Sequence, residues 1–265
     1  MRVIGIGHIL FAATLIAIGA WGLVSGQFGA IWQPVPKATP AREVLAYACA
    51  VVSLAAGLGL VWKRMSALAA RLLVGWLVVW LILFKARPIL AAPAAIVSWE
   101  NLAETVVILA GAWALWAALA EPSDKRLAGF AVGESGTRIA RILYGLGMVV
   151  FGLAHFAYLK ETAALVPRWL PDHTLWAEAT GAAYVAAGAA ILTGVLARLA
   201  ATLSTLQMAL FTLLVWAPML AAGSKDAGDW SESFISLALT AAGWVVADGY
   251  GGKPWLASKP RRRRT

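Results

Sequence analysis

Long uninterrupted apolar blocks, broken by short clusters of charge, proline and glycine, set the pattern of this chain. The blocks run from Ile4 to Val24, Val44 to Trp62, Met65 to Phe84 and Leu102 to Ala120. Four more follow, from Ile142 to Leu159, Leu175 to Leu196, Leu199 to Ala222, and a shorter one from Phe234 to Ala247 whose start is placed near Trp230. None carries the polar stripe of a soluble amphipathic helix, and roughly 18 apolar residues suffice to cross the hydrocarbon core. Backbone amides find no water partner there, so each block must satisfy its own hydrogen bonds as a helix. The pattern therefore predicts an all-α integral membrane protein of about eight transmembrane helices. The first block is longer than the apolar core of a secretory signal, about 7 to 15 residues, and no small-x-small cleavage site follows it, so it is read as a span.

The two halves of the pattern resemble one another. Sliding the chain by 130 or 131 residues places Trp21-Gly22-Leu23 on Phe151-Gly152-Leu153, Phe28 on Tyr158, Val35-Pro36 on Val166-Pro167, Trp99 on Trp230 and Trp113 on Trp244. Alanine matches carry little weight in so alanine-rich a chain; the tryptophan and Val-Pro matches carry the repeat. Four spans per copy return the chain to its starting side, which makes the repeats parallel. The expected organisation is a first four-helix repeat over 1–120, a polar, turn-rich linker over 121–138, a second repeat over 139–250 and a basic tail over 251–265.

Composition narrows the class. With 61% hydrophobic and 13% charged residues and a mean hydropathy of +0.77, the chain is too apolar for a soluble domain, where about 25% charged is usual. The formal charge of +9 would fit a nucleic-acid partner, but the basic residues sit at span ends and in the tail, where membrane anchoring explains them. Of the 22 lysines and arginines, 15 fall on the side of the N-terminus and seven on the other. The positive-inside rule then places both termini in the cytoplasm. Without the six in the tail the balance is nine to seven, so tail and linker carry the orientation. Arg261, Arg262, Arg263 and Arg264 are the expected contacts to anionic lipid. The single cysteine, Cys49, allows no internal disulfide and no CxxC pair.

Ionisable groups inside apolar blocks are the natural candidates for chemistry, since a charge at the bilayer centre costs at least about 2.5 to 3.5 kcal/mol. His155 lies near the outer end of the fifth span and Glu178 one turn inside the sixth; Glu100 and Glu104, four apart, share one helix face where the fourth begins. These either converge on a shallow polar cavity or reach interfacial water and neighbouring helices singly. His8 is read as an interhelical packing contact, and Gly22, Gly26, Gly181 and Gly188 as small surfaces for close helix approach. Trp32, Trp99, Trp169, Trp176 and Trp230 fit an aromatic belt at the outer interface. Three scattered histidines supply no metal-ligand spacing, and no GxSxG, phosphate-loop, HExxH or dinucleotide motif is present.

The stretch from 151 to 201 carries a resemblance. Phe151-Gly152-Leu-Ala-His155-Phe156, Val166-Pro167-Arg-Trp169-Leu170-Pro171, Gly181-Ala-Ala-Tyr184-Val-Ala-Ala-Gly188, then Leu192 and Arg198-Leu-Ala-Ala resemble the DoxX-like family of small four-helix membrane proteins. In that family a His-Phe pair ends the first helix, a Pro-rich re-entrant loop follows, and a glycine-rich second helix ends at an arginine. The resemblance implies a bacterial inner-membrane bundle, some of whose relatives are subunits of quinone-linked oxidoreductases. The chain departs from the pattern: Tyr184 and, in the first copy, Ser53 stand where many relatives have glutamate, and Ser25 stands opposite His155. A proton-handling role at those positions is therefore not carried over to the first copy. The expected function is accessory and non-catalytic, binding a quinone or other lipidic small molecule, or a partner redox subunit. Its ligand residues would be His155, Tyr158, Trp169, Glu178, Tyr184, Glu100 and Glu104. The alternatives are a small-solute transporter or channel-like protein, which needs polar groups near mid-membrane, and a purely structural scaffold.

Overall fold

The computed structural model describes residues 5–257. Arg2, Lys259 and the cluster Arg261 to Arg264, on which the orientation and the lipid contact draw, lie outside the described residues. Among the described residues there is no strand, and eight helices are long and apolar enough to cross a membrane. They are α1 (Ile6–Ser25), α2 (Arg42–Val61), α3 (Ser66–Ala91), α4 (Ile96–Leu119), α5 (Gly133–Ala157), α6 (His173–Thr193), α7 (Ala197–Ala221) and α8 (Ala227–Asp248). Large apolar side chains such as Leu72, Val79, Leu203 and Leu213 face outward, as a lipid-solvated surface requires. The interior is rich in alanine and glycine, whose small side chains let the helices close on one another.

Arg42 and His173, Ser66 and Ala197, and Ile96 and Ala227 open paired helices, a constant displacement of 131 residues. Finer features recur at the same distance. Ala41 and Asp172 precede α2 and α6 with φ of 49° and 47°, and wide π-helical turns occupy Leu81–Lys85 in α3 and Thr212–Trp216 in α7. Each π turn lies just before a proline, Pro88 or Pro218, that removes an N–H and crowds the preceding turn, which loosens the helix there. Packing follows the same plan: α1 on α2, α2 on α3 and α3 on α4, then α5 on α6, α6 on α7 and α7 on α8. Between the halves α1 packs on α8, α5 on α4, and α4 crosses α8. At that crossing Gly111 meets Ala242, its counterpart 131 residues on; a Cβ on Gly111 would stand 2.8 Å from the Ala242 Cα.

The halves run in the same direction. Asp248 at the end of α8 accepts from the Gly7 N–H at the start of α1, and Arg141 near the start of α5 lies 3.9 Å over the ring of Tyr250 just beyond α8. Both halves therefore begin at one end of the bundle, termed here the proximal end; the other is distal. Arg71 of α3 pairs with Asp124 at 2.9 Å at the proximal end.

Several boundaries differ from the sequence expectation. The third span runs past Phe84 to Ala91, so Lys85 is a buried residue of α3, 2% exposed, rather than a loop cation. α4 begins at Ile96, not Leu102, which puts Trp99 and Glu100 within the helix. The linker is largely helical: Glu121 and Asp124 form a capping box that opens a short helix, Pro122–Ala128, and α5 starts at Gly133. The last span has 22 residues, enough for a full crossing, with Asp226 capping its start. Gly26 is a terminator and not a packing surface: its φ of 66° ends α1, and its N–H returns to the Gly22 carbonyl. His8 is the interhelical contact expected, its Nε2–H donating to the Leu60 carbonyl at 3.0 Å.

Candidate functional site

The distal end of the second half holds a cavity of about 290 Å³ between α4, α5, α6, α7 and α8. Its apolar walls include Phe151, Phe211, Trp216, Ile235 and Leu239, and its polar groups are Glu100, Glu104, His155, Tyr158, Glu161, Thr162, Tyr184 and Glu232. Each helix contributes for a local reason. The α5 residues Phe151 and His155 sit one turn apart and so share a face. Gly152 beside them allows α6 to approach: a Cβ there would lie 2.5 Å from the Gly181 carbonyl oxygen. The π turn of α7 rotates the wall around Phe211 and Trp216, the kind of widened turn that recurs at functional sites. A buried polar seam holds α7 in place, with the Tyr144 hydroxyl 3.0 Å from Ser204 Oγ and Thr212 Oγ1 2.7 Å from Ser236 Oγ.

His155 is the best-defined polar element. Its Nδ1 lies 2.8 Å from the Phe151 carbonyl oxygen of its own helix. A carbonyl only accepts, so Nδ1 carries the proton, and in the neutral ring Nε2 is a bare acceptor. Nε2 is buried and has no partner, a state that costs roughly 1–3 kcal/mol. The ring is fixed edge-to-face against Tyr184 at 5.4 Å and Phe211 at 5.8 Å, and Tyr184 in turn meets Phe151 at 6.2 Å. Glu100, Glu104 and Glu232 lie within electrostatic reach of one another, and Lys85 is the cation acting on Glu104.

The cavity thus brings together five of the seven residues singled out from sequence: His155, Tyr158, Tyr184, Glu100 and Glu104. Two stand apart. Glu178 is exposed on α6, and Trp169 is 71% exposed in the stretch before it; neither lines the cavity. Glu232, Phe211, Trp216 and Lys85 were missed. Glu232 precedes the apolar run that opens at Phe234, yet the match of Trp99 with Trp230 puts it as deep in α8 as Asn101 is in α4. Among the described residues no group of His, Cys, Asp and Glu could hold a metal ion.

The corresponding place in the first half is filled. Trp32, expected in an interfacial belt, is fully buried. A 3-10 turn at Ala30–Trp32 folds the α1–α2 connection back into the bundle. The indole Nε1–H donates to Ser53 Oγ at 2.9 Å, and the ring stands edge-on to Trp80 at 5.3 Å. Phe28 and Phe84 complete the cluster around Trp80 at 6.0 and 4.3 Å, and Lys85 Nζ fastens the loop by donating to the Gln33 carbonyl. Ser53 and Trp80 are the counterparts of Tyr184 and Phe211. In the second half the connection instead forms a short helix, Leu159–Leu165, whose Thr162 and Leu165 edge the open cavity. The Pro-rich stretch from Val166 to Pro171 follows that helix and is irregular. The other expected belt tryptophans, Trp99, Trp176 and Trp230, are substantially exposed.

The chain is similar, over residues 144–240, to a family described as a domain of unknown function, DUF8561. The matched stretch runs from the middle of α5 into α8 and takes in most of the cavity wall. No curated protein and no solved structure matches the chain.

Proposed function

We propose that this chain is an accessory, non-catalytic protein of DoxX-like type in a bacterial inner membrane, a tandem duplication whose second half binds a quinone or another lipidic small molecule in its distal cavity. The observation that carries the reading is the pairing of an aromatic-walled cavity of about 290 Å³ with an unpartnered, buried His155 Nε2. Cavities of this sort, mostly apolar with a few placed polar groups, are the usual form of small-molecule sites. The ring stacking that Phe211 and Trp216 offer suits a planar headgroup. In this reading a partner subunit supplies or withdraws the ligand.

Both termini face the cytoplasm in this reading, and Arg261 to Arg264 contact anionic lipid there. A reporter fused after Gln33 should then be exported, and reporters fused after Lys63 and Lys125 should both be retained. The ligand reading is tested with purified protein in detergent: quinones should quench tryptophan fluorescence, Trp216 being the reporter in the wall, and His155→Ala should weaken the effect. Indifference to every quinone tried would remove the reading. A second reading, transport of a small solute, draws on Lys85, a charge buried within a span beside Glu104. Solute uptake by proteoliposomes that is lost on Glu104→Gln would favour it.

A further inference from the structure

We infer that the occupant of the second-half cavity is a planar, fused-ring aromatic molecule that presents an N–H or O–H donor to His155 Nε2. The inference rests on the ligand-binding reading above and specifies its chemistry. It draws on two independent observations.

The first is the first half's own plug. There the place between the helices is taken by an indole ring that stands edge-on to Trp80 and gives its N–H to Ser53. Trp80 and Ser53 correspond to Phe211 and Tyr184, two walls of the open cavity. His155 leans on both of these side chains and so takes part of the indole's place; the remainder is empty space. The same scaffold therefore accepts a flat bicyclic ring with one donor when the chain supplies it, and in the second half the chain does not.

The second is the hydrogen-bond sense of His155. Because Nδ1–H is committed to the Phe151 carbonyl, the free ring nitrogen of the neutral imidazole accepts and cannot donate. A ligand carbonyl would leave it unsatisfied, whereas a ligand hydroxyl or ring N–H would complete it. Glu100, Glu104 and Glu232 around the same cavity are acceptors when ionised, which adds to the preference. Among quinone-type ligands this selects the reduced, hydroxyl-bearing form.

The test compares indole, N-methylindole and naphthoquinone as probes of the full-length protein in nanodiscs, with affinities read by calorimetry. Indole should bind about tenfold more tightly than N-methylindole, the worth of one hydrogen bond. His155→Phe, which keeps a ring and removes the acceptor, should bring indole down to the level of its methyl derivative. If naphthoquinone binds while indole and N-methylindole are equal in the native protein, the donor inference is overturned and the cavity reading stands. If none of the three binds, the cavity reading itself falls. The native-protein comparison needs no variant, so a folding defect in His155→Phe would not obscure the result.

Discussion

In the first half of the molecule the distal space between the helices is closed by Trp32, Phe28 and Trp80, with Lys85 fastening the loop that carries the plug. In the second half the equivalent space is walled by Phe211, Tyr184 and His155 and left open. The helices that frame the two places are paired at one displacement, down to their π turns. The difference lies in the connection after the first helix of each half: a 3-10 turn that drives an indole inward in one, a surface helix in the other. One framework can thus be spent on stability or kept for binding, according to whether a loop returns to the core.

That contrast can be broken most forcefully at Trp32. Trp32→Ala should destabilise the protein by about 3–5 kcal/mol, since a fully buried ring leaves a void and Ser53 loses its donor. Thermal unfolding in detergent measures this, and a loss below about 1 kcal/mol would mean that the plug is not structural. Next in size is Lys85→Met, which keeps the volume and removes the donor to the Gln33 carbonyl. It should cost about 1–3 kcal/mol and raise proteolytic cleavage between Gly26 and Ala41. The smallest effects belong to the residues outside the cavity. Glu178→Gln and Trp169→Phe should change stability by less than about 0.5 kcal/mol and leave quinone quenching unaltered; a lost ligand response in either would extend the site beyond its present walls.

The helices were legible in the sequence because apolar run length alone dictates a span. Trp32 was not. It stands between an apolar block and a proline, where an interfacial position is the default, and the groups that bury it, Ser53 and Trp80, are far along the chain. Lys85 follows an apolar run and precedes Arg87 and Pro88, the pattern of a charge at a span end; only the π turn and the folded-back loop give its ammonium a carbonyl inside the bundle. His155, Tyr158, Tyr184, Glu100 and Glu104 line the cavity and stand out in the sequence as polar groups in or beside apolar blocks. Phe211 and Trp216 do not, being ordinary residues of an apolar run that line the cavity only once α7 packs against α6 and α8.

The central claim is that one half is open to a ligand and the other is not, and the number of ligands bound per chain tests it most directly. Titrating the purified protein with indole should saturate at one molecule per chain, and Leu239→Trp, which fills the second-half cavity, should abolish binding while the fold, followed by circular dichroism, is kept. Two molecules per chain, or binding undiminished in Leu239→Trp, would contradict it.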